Sequence, residues 1–259
     1  MIRPTPALLR PRMCRGPFLL AMCCMVVVAG RCVAGDTGTP EPVRVLLVTG
    51  CDYEGHHWKE TSPVLRAVLE QEDRLEVRIV DDIEFLACDT VFDYDVLLMH
   101  FKNYDVPKRF EAIQKNLTRF VGEGGGLVYF HFACGAFQEW DGFVEIAGRV
   151  WDPQKRAHDP HGPFTVRIVD REHPVTKGFD DFEIRDELYT CLGGDLSIHV
   201  LAEAISKVDG KPYPMAFVFD VGKGRVFHTV LGHDVEAVKA PGLGELMRRA
   251  CLWAGGREP

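Results

Sequence analysis

Apolar residues along the chain fall into short continuous runs that alternate with helical stripes. Val43–Thr49, Leu75–Val80, Val96–His100 and Leu127–Phe132 are runs of strand length, rich in Val, Leu, Ile and Phe. Between them, Glu60–Gln71 sets Val64, Leu65, Val68 and Leu69 on one side of a helix. Lys108–Val121 does the same with Phe110, Ile113, Leu117 and Phe120, and Gly122 ends it. Strand and helix in turn predict an α/β fold, a doubly wound, mostly parallel sheet. Phe137–Ala147 reads as a further helix, and Trp151–Pro163, with no sustained period, as a long loop or lid. Phe164–Val169, Ile198–Ala204, Met215–Asp220 and Arg225–Leu231 follow as strands, the last two joined by a tight turn at Lys223-Gly224. Leu243–Trp253 closes the chain as a helix.

The start of the chain has a different pattern. Arg3, Arg10, Arg12 and Arg15 precede the apolar stretch Pro17–Gly30, and small residues follow around Val33–Gly35. That order is the order of a secretory signal. The apolar stretch, about 14 residues, falls short of the roughly 20 that cross a bilayer, so cleavage is expected and stable membrane insertion is not. The expected organisation is a signal peptide over residues 1–35, a polar linker over 36–42 and one domain over 43–256. An exported protein, periplasmic or extracellular, follows from that arrangement.

Charge narrows the partners. The chain carries 30 basic and 38 acidic residues, a formal net charge of −8. Loss of residues 1–35 leaves roughly −13, an unfavourable surface for nucleic acid. Cys51, Cys88, Cys134, Cys191 and Cys251 are too scattered to form a disulfide scaffold.

Histidine placement carries the candidate chemistry. His56 and His57 follow the first predicted strand, His131 closes the strand that begins at Leu127, and His233 follows the last one. In an open parallel sheet the carboxyl ends of the strands form the ligand crevice, so these imidazoles converge on one mouth. A divalent metal, zinc in the first place, is the expected cofactor, with His57 (or its neighbour His56), His131 and His233 as ligands and Asp234 (or Glu187) as carboxylate ligand or orienting partner. His131, Glu187 and His233 are the candidate catalytic residues. His56, Trp58, His158 and Tyr189 are placed toward the substrate. Of the adjacent carboxylates Asp186 and Glu187 only one can enter a crevice from an extended segment, and the alternation by itself leaves open which. His199 is expected to pack within its strand, and His173-Pro174 to form a turn.

Several motifs occur in a fixed order. Gly124–Gly126 leads into the strand ending at His131, and His173-Pro174 and Asp186-Glu187-Leu188-Tyr189 follow. Gly222-Lys223-Gly224-Arg225-Val226-Phe227-His228 and Gly232-His233-Asp234 complete the set. Together they resemble the ThuA-like (trehalose-utilisation) family over nearly all of Val43–Gly255. The resemblance implies a flavodoxin-like, class I glutamine amidotransferase-like three-layer sandwich. It also implies action on a small carbohydrate, a keto-sugar or glycoside derivative, by proton transfer or hydrolysis. A non-catalytic sugar-binding module remains an alternative. So does a thiol-dependent amidotransferase-like hydrolase, in which Cys134 would serve near the elbow after the strand; His131 stands at or beside that elbow instead.

Overall fold

The computed structural model describes residues 41–259, which form one unit; the expected signal peptide and most of the linker lie outside the described residues. β1 (Val43–Val48), α1 (Trp58–Leu69), β2 (Leu75–Val80), β3 (Val96–Met99), α2 (Phe110–Glu123) and β4 (Gly126–Phe130) build the first half. α3 (Phe143–Ala147), β5 (Val150–Trp151), β6 (Gly162–Ile168), β7 (Phe182–Asp186) and β8 (Leu192–Gly193) come next. β9 (His199–Ile205), β10 (Pro212–Val221), β11 (Gly224–Thr229), α4 (Val235–Val238) and α5 (Pro241–Ala254) complete the order.

Nine strands form one sheet in the order β2-β1-β3-β4-β11-β10-β9-β6-β7. From β2 to β11 neighbours run parallel, and from β11 to β7 every pairing is antiparallel. Successive side chains of a strand point to opposite faces, and both faces are covered. Val43, Val45 and Leu47 enter an apolar cluster with Leu65, Leu69, Leu246 and Ala250 of α1 and α5. Leu46 and Val48 enter a second cluster with Ile113, Leu117 and Phe120 of α2. Burial on both faces is why these strands read as continuous apolar runs, and it makes the fold an α/β three-layer sandwich.

One expectation is corrected and one is sharpened. Phe137–Ala147 is helical only over Phe143–Ala147, because Phe137 takes a positive φ of 47° and the chain turns before the helix begins. Trp151–Pro163 is tied into the molecule: β5 pairs with β8, and His158 forms a backbone bridge to Tyr189. β7 and β8 went unread in the sequence.

The topology gathers the site. β1, β3, β4 and β11 are parallel, and three antiparallel steps beyond β10 bring β7 back to the same direction. The segments leaving all five strands therefore emerge at one edge of the sheet.

Candidate functional site

His131 follows β4 as the first residue of a single helical turn, His131–Gly135, at φ 49°, a left-handed conformation rare for a residue with a Cβ. The bend projects the imidazole off the strand end. Its Nδ1 lies 2.7 Å from the Val230 carbonyl, an acceptor only, so Nδ1–H donates and Nε2 presents its lone pair to the pocket in the neutral ring. His56 reaches the same point from the loop after β1, with Nε2 2.9 Å from His131 Nε2. His56 also stacks on Phe132 at a ring-centroid distance of 4.4 Å, which holds the imidazole plane.

His233 arrives from the turn after β11. Gly232 precedes it at φ 113°, where a Cβ would come within 2.1 Å of the Phe130 ring, so only glycine fits. Asp186, fully buried at the end of β7, holds this turn by accepting from the Gly232 N–H at 2.6 Å and the His233 N–H at 3.0 Å. Glu187 then points the other way, into the cluster. Its Oε2 lies 3.1 Å from His233 Nδ1 and 3.6 Å from His131 Nε2, and its Oε1 lies 3.5 Å from His158 Nε2. One ligand atom from each of His56, His131, Glu187 and His233 falls within 4.8 Å of all the others.

The electrostatics keep one ring of the cluster neutral and its carboxylate charged. Burial, reinforced by the neighbouring His131 and His233 rings, pushes His56 down to about 2, so its ring stays neutral. Burial alone would raise Glu187, but the imidazoles of His131 and His233 outweigh it and hold the carboxyl below the usual carboxylate range. The Glu187 carboxylate raises His233 against burial. That contact is an off-axis ion pair, because His233 Nδ1 has no hydrogen-bond partner, and neither has His56 Nδ1. Three imidazole nitrogens and one anionic oxygen, with a lone pair of His131 aimed inward and an orphan nitrogen beside it, fit a first-row divalent ion. Tyr189 stands over the group, its hydroxyl 3.1 Å from His131 Nε2, and burial keeps its phenol protonated.

His56, Glu187 and His233 of the cluster line a cavity of about 120 Å³ together with Tyr53, Trp151, His158 and Tyr189, and His131 is buried behind them. Larger hollows lie alongside, including an aromatic groove of about 440 Å³ at Phe137, Trp140 and Phe143 that shares Trp151 with it. That groove does not include the histidine cluster.

Of the residues read from the sequence, His56, His131, His158, Glu187, Tyr189 and His233 converge on this cavity. His57 does not. It is exposed, and its carbonyl accepts the first amide bonds of α1, so of two neighbours that point apart only His56 turns inward. Asp234 is also outside the cluster: its Oδ1 caps α4 at the Ala237 N–H, 2.9 Å away. Trp58 opens α1 and donates its indole N–H to Asp52, leaving Trp151 as the tryptophan in the wall. His199 is exposed, with Nε2 2.7 Å from the Asp170 carboxylate. Cys134 is buried, and burial raises its thiol well above the ordinary range, so no thiolate is prepared at the elbow. The Asp186 clamp was missed; its only sequence signal was its place beside Glu187.

The family model for trehalose utilisation, ThuA, matches residues 44–254. The chain belongs to the ThuA family. A ThuA-like protein from Parabacteroides merdae is similar in structure at a TM-score of 0.74 and 25% identity, over 84% of this chain and 92% of that one. A second, from Bacteroides uniformis, has a TM-score of 0.65 and 19% identity over 84% and 95% of the two chains. A β-galactosidase from Bacillus circulans sp. alkalophilus shares the fold at a TM-score of 0.55 and 12% identity, over 83% of this chain and 32% of the galactosidase. Comparison with curated proteins finds no match. The fold of this ThuA-family chain is thus the three-layer type that its motifs imply.

Proposed function

We propose that this ThuA-family protein is a metal-dependent enzyme that acts on a small carbohydrate, a keto-sugar or glycoside derivative, by proton transfer or hydrolysis. The observation that carries the proposal is the convergence of His56, His131, His233 and Glu187 in one cluster, three of whose members line a cavity. A divalent ion held by these four residues would act as a Lewis acid on a substrate oxygen. Asp186 and the Val230 carbonyl fix the orientations of His233 and His131, the supporting contacts on which ligand geometry depends. His158, held through Nδ1 by the Asp159 carbonyl at 2.7 Å, directs Nε2 toward the cavity, where it can pass a proton to or from substrate. Trp151 lines the cavity with an aromatic surface against which a sugar ring can pack. The family description, trehalose utilisation, supports the substrate class.

The protein is further proposed to work outside the cytoplasm, on the strength of the arginine-then-apolar start of the chain; a mature amino terminus near Asp36 is the expected result of N-terminal sequencing. No helix among the described residues is long and apolar enough to cross a membrane.

Metal analysis decides the central point. Metal-replete wild type should hold about one equivalent, His131→Ala and His233→Ala far less, and His57→Ala and His199→Ala as much as wild type. Less than about 0.1 equivalent in wild type would sink the metal reading. Loaded protein is then offered keto-sugars and glycosides in deuterated water, where exchange beside the carbonyl reports proton transfer and released sugar reports hydrolysis. Affinity without either signal would leave a binding module.

A further inference from the structure

Lys102 lies in the loop leaving β3 and lines the same cavity as His56, Glu187 and His233. Its ammonium stands 5.5 Å from the Tyr53 ring centre, 5.4 Å from that of Tyr104 and 5.5 Å from that of Trp151. The side-chain stem passes over Gly135, where a Cβ would come within 3.1 Å of Lys102 Cδ; the glycine of the elbow turn leaves the path that the lysine takes. Among the described residues no carboxylate lies within ion-pair distance of this ammonium and no hydrogen bond engages it, although many other Lys and Arg side chains of the molecule are so paired. Rings of this kind hold a cation in place without neutralising it.

We propose that Lys102 is the anion-binding residue of the pocket and that the substrate is a sugar acid whose carboxylate it receives. The inference rests on the carbohydrate reading above and narrows it. Charge balance points the same way. Three neutral imidazoles and Glu187 around a divalent ion would leave one positive charge and Lys102 adds a second; a carboxylate would offset the charge of Lys102 within a partly desolvated site and leave the single charge of the metal group. A carboxylate suits the site better than a phosphoryl group. The cavity is about 120 Å³ and offers a single ammonium, whereas a dianionic phosphoryl group is ordinarily gripped by several donors or an arginine fork.

The test uses metal-loaded full-length protein and two probes of matched size, D-glucuronate and D-glucose, with binding followed by calorimetry and by tryptophan fluorescence. Wild type should bind glucuronate at least tenfold tighter than glucose, and the preference should shrink as salt is raised. Lys102→Met should bring the two sugars to within about twofold of each other with metal content unchanged, and Lys102→Arg should keep part of the preference. Lys102→Gln serves in place of the methionine variant if that fails to fold. Equal binding of the two sugars by wild type, binding of neither, or a preference that survives in both Lys102→Met and Lys102→Gln would overturn the assignment. Survival in those variants would mean that the carboxylate meets the metal instead. Loss of the metal itself, by contrast, would count against the enzyme reading and not against Lys102.

Discussion

At the scale of single residues the site depends on groups that bear no ligand atom. Asp186 accepts three backbone N–H bonds, from Glu187, Gly232 and His233, and so sets two of the cluster's side chains from one buried carboxylate. Asp186→Asn turns one acceptor into a donor facing an N–H, and metal affinity should fall about 10- to 100-fold while much of the fold survives, measured by competition with a chelating dye. Cys134→Ser should keep metal stoichiometry and, with a turnover assay in hand, activity within a few-fold; a loss of about 10³-fold with the fold intact would establish covalent catalysis. His228 gives a different prediction. It is buried with Nδ1 bonded to the Ala147 carbonyl, and burial holds it at about 4, as burial holds His100 at about 3. Both lie below the ordinary 6.5, so the unfolded chain binds more protons between those values. Stability should therefore be complete above pH 6.5 and be lost as pH falls toward 4 and below. Urea midpoints across that range should decline, and His228→Leu should flatten the slope even at the cost of lower stability at neutral pH.

At the scale of elements, strand ends and the turns after them determine what reaches the cavity. The helical turn after β4 holds His131 in a left-handed conformation, a strain of about 1 kcal/mol that glycine would not bear. His131→Gly should thus be more stable than His131→Ala by about that amount in chemical denaturation, although both lose the ligand. A smaller gap would mean that the turn relaxes when the imidazole is removed. The turn after β11 is less forgiving. Gly232→Ala would drive a methyl group into the Phe130 ring at a φ of 113°, and a loss of about 2 kcal/mol or more is expected together with weaker metal binding, since His233 moves with the turn.

At the scale of the whole molecule, the four side chains that could hold a metal come from the loops after β1, β4, β7 and β11 across the edge of the sheet, so on the proposed reading metal binding should stabilise the domain as a unit. Free metal at 100 times its dissociation constant adds about 2.7 kcal/mol, and chelation should lower the thermal midpoint by roughly 5–10 °C for a domain of this size. An unchanged midpoint on chelation, in protein shown to have held metal, would place the ion at the surface and not in this cluster. The sequence by itself determined the α/β class, most strand and helix positions and the family, because burial of both sheet faces writes itself as continuous apolar runs and the motifs keep a linear order. It also marked His131 and His233, since residues just beyond strands fall at the crevice wherever the sheet is parallel, while Glu187 was reached through its family motif, the strand before it having gone unread. The choice of His56 over His57, the diversion of Asp234 to a helix cap, the replacement of Trp58 by Trp151 and the clamp made by Asp186 were decided only by tertiary structure. Each depends on which way a side chain turns in an irregular segment and on contacts between residues as far apart as Asp186 and His233, 47 positions in the chain. No local period records such contacts; the folded backbone creates them.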